Sequence, residues 1–308
     1  HRPFMQKYEV IQKLSPIEFR RLTGVRKETF VQMISIVKEA EKQRMSLGGK
    51  PSRLAVEDKL LMALEYLREY RTYFHLGQSY GLSESACYRN CKWIEDILIK
   101  SKVFSLPGKK TLLNSDTEFE VILIDATESP IERPKKRIRC KKRIRNRNNK
   151  QKRYYSGKKK RHTLKSQVVV DKKSSLIICT NFCNGKKHDF KLFKDSKVRW
   201  VQKIQGIVDS GYVGIKNLQN TSLLPKKRSR GKALTRHEKQ KNRDISSKRA
   251  LNENVIGRLK RFKILSDSYR NRRKRFGLRF NLIAGIQNWE LKYDNRHFSG
   301  AETNSFRP

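Results

Sequence analysis

Three carboxylates stand where a carboxylate is costly. Asp125 follows the apolar run Val121-Ile122-Leu123-Ile124, and Asp209 follows Gly206-Ile207-Val208 and precedes Ser210-Gly211-Tyr212. An acid at the end of a short β-type segment loses water, a loss tolerated when it binds a metal or a charged partner. The third acid, Glu253, lies in residues 248–265, KRALNENVIGRLKRFKIL, a stretch without proline. At helical spacing Leu251, Val255, Leu259 and Phe262 form one apolar stripe, with Arg249, Glu253, Gly257 and Lys260 on the opposite side. A lone carboxylate between cations is either a surface ion-pair ladder or part of a site.

The elements around these acids read as two domains. In the front part, Ser15-Pro16-Ile17-Glu18 is a capping box, and helical spacing continues over residues 27–44 and 56–70. Residues 73–80, Gly81, and residues 84–100 capped by Ser83 form helix, tight turn and longer helix, the arrangement of a helix-turn-helix. Ser85, Tyr88, Arg89 and Lys92 then lie on the exposed side of the second helix, within reach of base edges or phosphates. Two bundle helices with a polar outer face fit the same periodicity. Residues 1–104 are assigned to this helical domain, and 105–118, containing Ser105-Leu106-Pro107-Gly108, to a linker.

The back part, 119–295, mixes strands and helices, and 296–308 is a tail. A basic loop is expected over 133–161; KKRIR occurs twice within it, and no acid stands between Arg133 and Lys165. Such a density of like charge stays solvated or orders on a phosphate backbone. A hairpin follows, with strands at 161–171 and 176–182, then a helix from Gly185-Lys186-Lys187-His188-Asp189 to about Val201, then the Asp209 strand. Three strands, a helix, a fourth strand and a later helix bearing Glu253 is the order of an RNase H-like fold. It places the first acid on the central strand, the second on its neighbour and the third on a helix across the sheet.

The chain has 308 residues and a formal charge of +44, from 73 Lys and Arg against 29 Asp and Glu. With 36% apolar residues this describes a folded polyanion binder, and nucleic acid is the expected partner. No run approaches the roughly 18 apolar residues of a spanning helix, so a membrane role is not expected. The cysteines number five, an odd count, and the pairs Cys87/Cys91 and Cys179/Cys183 have no histidines at zinc-finger spacing, which favours reduced thiols in a cytoplasmic protein.

Six segments in order resemble the DDE transposases of the Harbinger-like, IS-five type group of bacterial insertion sequences. They are Ile124-Asp125-Ala126-Thr127-Glu128, Glu132-Arg133-Pro134, residues 155–165 (YSGKKKRHTLK), Gly185 to Asp189, Asp209-Ser210-Gly211-Tyr212, and Arg249-x3-Glu253-x6-Lys260. The resemblance implies a transposase that binds the terminal inverted repeats of its own element, cleaves the ends and joins them to target DNA. Asp125, Asp209 and Glu253 would bind the catalytic metals, two Mg²⁺ ions for which Mn²⁺ can substitute. Arg249 and Lys260 would contact the DNA end or its phosphates, and Lys158, Lys159, Lys160 and Arg161 are expected to bind DNA. Asp189 is the rival second ligand, and His188 would orient a carboxylate or phosphate. A homodimer or higher oligomer on DNA, nucleoid-associated in a bacterium, is also implied. Related chains often carry tyrosine three residues before the arginine; Ser246 stands there instead.

The alternative is a transposase-derived protein that binds DNA without cutting it. In-line displacement at phosphorus suits paired Mg²⁺ ions about 3.5 to 4 Å apart, held by carboxylates, because both the attacking and the leaving oxygen build negative charge. Gly257 on the Glu253 face would leave room for a DNA backbone. Neutralising the basic residues of 135–145 is predicted to weaken binding to every DNA sequence alike and to flatten its salt dependence, as read by anisotropy titrations at several salt concentrations. A loss confined to one sequence would mean that this segment reads bases.

Overall fold

The computed structural model describes residues 7–48, 52–135, 150–228 and 233–301. Its contacts divide into two units. The first comprises the chain up to Ser105 with Leu259–Ser266 and residues from Leu278 on; the second comprises Leu106–Arg258 and Asp267–Gly277. The stretch expected to stay with the back part thus returns to the first unit beyond Leu278.

The first unit begins with α1 (Lys7–Ile11), α2 (Pro16–Thr23), α3 (Lys27–Ser46), α4 (Val56–Arg68), α5 (Tyr73–Tyr80) and α6 (Glu84–Lys100). Ser15 and Glu18 close the capping box at α2: the Glu18 N–H donates to Ser15 Oγ at 3.3 Å and the Ser15 N–H to Glu18 Oε2 at 3.0 Å. α4 is buried continuously from Asp58 to Leu67 and is the unit's central rod. Gly81 takes the left-handed conformation (φ 60°) that ends α5, and Ser83 Oγ accepts the Ala86 N–H to start α6. Cys87, Cys91, Ile94 and Leu98 of α6 are buried, while Ser85, Tyr88, Arg89 and Lys92 are exposed, as the helix-turn-helix reading requires.

Two buried acids tie the last long helix, α11 (Phe276–Ala301), into this unit, with the short α10 (Lys263–Ser266) preceding it. Glu290 accepts from Arg20 Nη2 at 2.7 Å, the Arg26 N–H at 2.9 Å and Thr29 Oγ1 at 3.1 Å. On α6, Glu95 Oε1 accepts from Arg279 Nε at 2.7 Å, both side chains being 1% exposed, and the Arg279 guanidinium lies 5.1 Å from the Tyr66 ring centroid.

The second unit is a mixed sheet with helices. Its strands are β1 (Val121–Pro130), β2 (Tyr155–Ser156), β3 (Arg161–Asp171), β4 (Ile177–Asn184), β5 (Gln205–Val208) and β6 (Ser222–Leu223). Its helices are α7 (Lys150–Tyr154), α8 (Asp189–Ser196) and most of α9 (Arg236–Lys260). β1 is central, antiparallel to β3 on one side and parallel to β5 on the other; β4 and β2 pair with the outer edge of β3, and β6 with β5. This is the strand order and direction of the expected RNase H-like layout. Ile122, Ile124, Val169, Phe193, Trp200 and Val208 form its core with Tyr212.

Several boundaries differ from the sequence reading, each for a physical reason. Asp125 does not end its strand: β1 continues to Pro130 because its pairing with β3 runs to Pro130↔Thr163, whereas its pairing with β5 stops at Ile124↔Val208. α8 stops at Ser196, short of Val201; Lys197 turns left-handed (φ 52°), and Val198 and Trp200 turn into the core. α9 starts twelve residues before Lys248, at a second capping box in which the Glu238 N–H donates to Thr235 Oγ1 at 3.2 Å and the Thr235 N–H to Glu238 Oε2 at 2.9 Å. It ends at Lys260, where the Phe262 N–H bonds back to the Leu259 carbonyl at 3.1 Å, so the stripe to Phe262 crosses a break. Of the basic loop, residues 136–149 lie outside the described residues; residues 150–156 form α7 and β2 rather than loop.

Arg279→Met would remove the guanidinium from a pair in which both side chains are 1% exposed, and breaking a buried pair in this way costs about 3 to 5 kcal/mol. Chemical denaturation should show that loss; a variant within about 1 kcal/mol of the wild type would contradict the pair's structural weight.

Candidate active site

Parallel pairing carries the two strand acids to the same place. The β1–β5 register ends at Ile124↔Val208, so Asp125 and Asp209 are the next residues on adjacent strands, which run about 4.8 Å apart. Each is pinned by a local backbone donor. Asp125 Oδ1 accepts the Ala126 N–H at 2.8 Å, and Asp209 Oδ1 accepts the N–H of Gly211. Asp125 Oδ2 is left facing Arg249 Nη2, 3.8 Å away, with both side chains less than one-fifth exposed.

The charge of the cluster registers on Asp125. Burial pushes its carboxyl up to about 6; the Ala126 N–H and the Arg249 charge oppose this, while Asp209 and Glu253 raise it further. Glu253 therefore acts on Asp125 from α9, although its own side chain is exposed. Beneath them Tyr212 is fully buried, and its hydroxyl has no hydrogen-bond partner among the described residues. Burial holds that phenol well above its ordinary range, with Asp189, Asp125 and Asp209 adding to the shift.

Asp189, the first residue of α8, is bound to Lys165 of β3, Nζ to Oδ1 2.6 Å. His188 is exposed ahead of it and makes no capping bond through its ring. Lys158, Lys159, Lys160 and Arg161 are all exposed around the start of β3. Gly257 faces open space: a Cβ there would meet nothing within 4 Å. Lys260, the last residue of α9, is half-buried and belongs to the first unit.

Sequence reasoning overlooked Lys165 and Tyr212 as neighbours of the acids. A lysine two residues before Gln167-Val168-Val169-Val170, within a strand, was the available signal, since a lysine in such a strand needs a buried acceptor.

The expected metal cage is not closed. Among the described residues no three His, Cys, Asp or Glu side chains stand close enough together to hold an ion. The donor set nonetheless fits a hard divalent cation: Asp125 and Asp209 present oxygen donors side by side, and the burial that raises the Asp125 carboxyl, with the lesser repulsion from Asp209 and Glu253, is what such a cation would relieve. Among the described residues the cysteines offer no rival, since Cys87, Cys91 and Cys179 are buried free thiols and Cys183 is a half-buried one.

A central strand acid, a neighbouring strand acid and a helix acid, on a mixed sheet preceded by a helix-turn-helix, define a metal-dependent nuclease of the DDE class. The chain belongs to the DDE superfamily endonucleases, a family that matches residues 124–288, and the helix-turn-helix of the same superfamily matches residues 52–102. It is 46% identical over 285 residues to the probable transposase for insertion sequence element IS702 of Microchaete diplosiphon, a match covering 92% of this chain and 98% of that one. It is also 25% identical over 261 residues, 84% of this chain and 89% of the other, to the transposase ascribed to insertion sequence element IS112 of Streptomyces albus G. No solved structure matches it. No helix among the described residues is long and apolar enough to cross a membrane.

Asp125 has a folded pKa of about 6 against an ordinary 3.8, so its ionised form costs stability above pH 6, and that cost disappears as the pH falls from 6 toward 4. Asp125→Asn should therefore raise the Tm at pH 7.5, by the equivalent of up to about 3 kcal/mol, and the gain should shrink at pH 4. Mn²⁺ should raise the wild-type Tm at pH 7.5 and leave that of Asp125→Asn nearly unchanged. Thermal denaturation across that pH range checks both, and an Asp125→Asn variant less stable than the wild type at pH 7.5 would contradict the assignment.

Proposed function

We propose that this protein is a transposase that binds the terminal inverted repeats of its own insertion sequence, cleaves the DNA at the element ends and joins them to target DNA. The observation that carries the reading is the placement of Asp125 and Asp209 side by side at the end of the β1–β5 pairing, with Glu253 acting on Asp125 from α9. The likeness to the IS702 and IS112 transposases supports it.

Asp125, Asp209 and Glu253 would hold two Mg²⁺ ions, or Mn²⁺ in their place, which supply charge stabilisation to the attacking and leaving oxygens at phosphorus. Arg249, already beside Asp125, places a fixed guanidinium where a scissile phosphate would lie, and Lys260 adds a contact to the DNA end. The exposed side of α6, with Ser85, Tyr88, Arg89 and Lys92, reads or grips the element end in a groove. Lys158, Lys159, Lys160 and Arg161 neutralise backbone phosphates. Two ends are bridged by a homodimer or larger assembly, and the protein works at the bacterial nucleoid.

A second reading, a DNA binder that does not cut, is favoured by one observation: the three acids are not gathered closely enough to grip an ion. Incubation with element-end duplexes and Mg²⁺ separates the two. The wild type should cleave and join, while Asp125→Asn, Asp209→Asn and Glu253→Gln each lose at least about 1,000-fold in rate, a barrier change of roughly 4 kcal/mol, with end binding changed by less than about 3-fold. A wild type that binds ends without cutting them, or an acid variant that transfers strands normally, would sink the first reading.

A further inference from the structure

The segment from Gly185 to Asp189 is a motif whose purpose the three acids leave unexplained. It interlocks with β3. The Gly185 N–H donates to the Thr163 carbonyl at 3.0 Å, and a Cβ on residue 185 would lie 1.9 Å from Thr163 Oγ1 and 2.9 Å from the Thr163 carbonyl oxygen, so only glycine permits this approach. Thr163 Oγ1 in turn donates to Glu128 Oε2 at 2.8 Å. Two residues further along the same face of β3, Lys165 is 8% exposed and fully engaged. Its Nζ donates to the Lys187 carbonyl at 2.7 Å and to Asp189 Oδ1 at 2.6 Å, and stands 3.8 Å from Glu128 Oε1.

The other Asp189 oxygen points at the corner occupied by Asp209. A Cβ on residue 211 would lie 2.8 Å from Asp209 Oδ1 and 3.1 Å from Asp189 Oδ2, so the two carboxylates converge on the Gly211 turn. They differ in what neutralises them. Asp189 is held by a buried ammonium, whereas the bond shown for Asp209 is to the Gly211 N–H. A carboxylate with one oxygen bound to an ammonium has its charge largely cancelled and is a poor ligand for a cation.

We propose that Lys165 is a positioning residue that withdraws Asp189 from the ligand set and so leaves Asp209 as the acid that works beside Asp125. This rests on the cleavage reading above for its purpose but not for its test. The full-length protein is heated with and without Mn²⁺ at pH 7.5, and cleavage of element-end duplexes is followed in parallel. In Lys165→Met the freed Asp189 should enlarge the Mn²⁺-induced rise in Tm beyond the wild-type rise, while cleavage falls about 100-fold as Asp189 competes with Asp209. Lys165→Met/Asp189→Asn, which removes both charges, should bring the Mn²⁺ rise back to the wild-type value and recover most of the lost cleavage. Equal Mn²⁺ effects on the wild type and Lys165→Met, or a double variant no different from Lys165→Met, would overturn the proposal. If Lys165→Met does not fold, the double variant decides alone: a wild-type Mn²⁺ rise supports the proposal, and loss of that rise or of folding overturns it. A wild type that responds to Mn²⁺ yet cuts no DNA end would refute the cleavage reading and leave the Lys165 comparison intact.

Discussion

Asp125 and Asp209 are neighbours because β1 and β5 run parallel and stop pairing one residue before each acid. Everything else in the site follows from that register. A slip of one residue would turn either carboxylate to the opposite face of the sheet, where apolar neighbours fill the space. The apolar residues before the acids, Ile122 and Ile124 on one strand and Val208 on the other, are fixed by the core, so the core sets the acids' position as firmly as it sets its own packing. β1 then departs from β5 but stays with β3 for six more residues, which opens the sheet on one side of Asp125 while anchoring it on the other.

Against a chain of +44, this corner is locally negative. Asp209 and Glu253 act on Asp125, which faces Arg249, and Glu128 and Asp189 share Lys165. A basic protein that draws in a polyanion thus keeps acids side by side on its sheet, and the two fields serve different ends. The long-range field attracts phosphate, whereas the short-range one repels it unless divalent charge intervenes.

Local chemistry was legible in the sequence, and distant partnership was not. α5 and α6 fold within the bounds read for them because Gly81 and Ser83 fix their ends by backbone preference and hydroxyl capping alone. The β3–β4 hairpin was equally readable, since Asp171 Oδ2 takes the Ser174 N–H and Oγ in its own turn. The length of β1 was hidden because β3, some forty residues on, decides it. Lys165 sits among acceptors contributed by residues 128, 187 and 189, and Glu95 meets Arg279 across 184 residues, distances at which periodicity carries no signal. The start of α9 is a different case: Thr235 and Glu238 spell a capping box that the sequence displays openly, and the apolar stripe further along drew the reading past it.

Glu290 and Arg279 have a consequence for how the protein is made. Each pairs with a residue far earlier in the chain, Glu290 with Arg20 across 270 residues and Arg279 with Glu95 across 184, so neither pair can form until those late residues have been made. Until then Glu95 lacks its bond from Arg279 and Arg20 its bond to Glu290, while the described strands of the sheet bearing the acids have all been made. Nascent chains therefore complete the strands that carry Asp125 and Asp209 before α6 and α2 gain their bonds with α11, and a product truncated ahead of α11 would carry the sheet without those bonds.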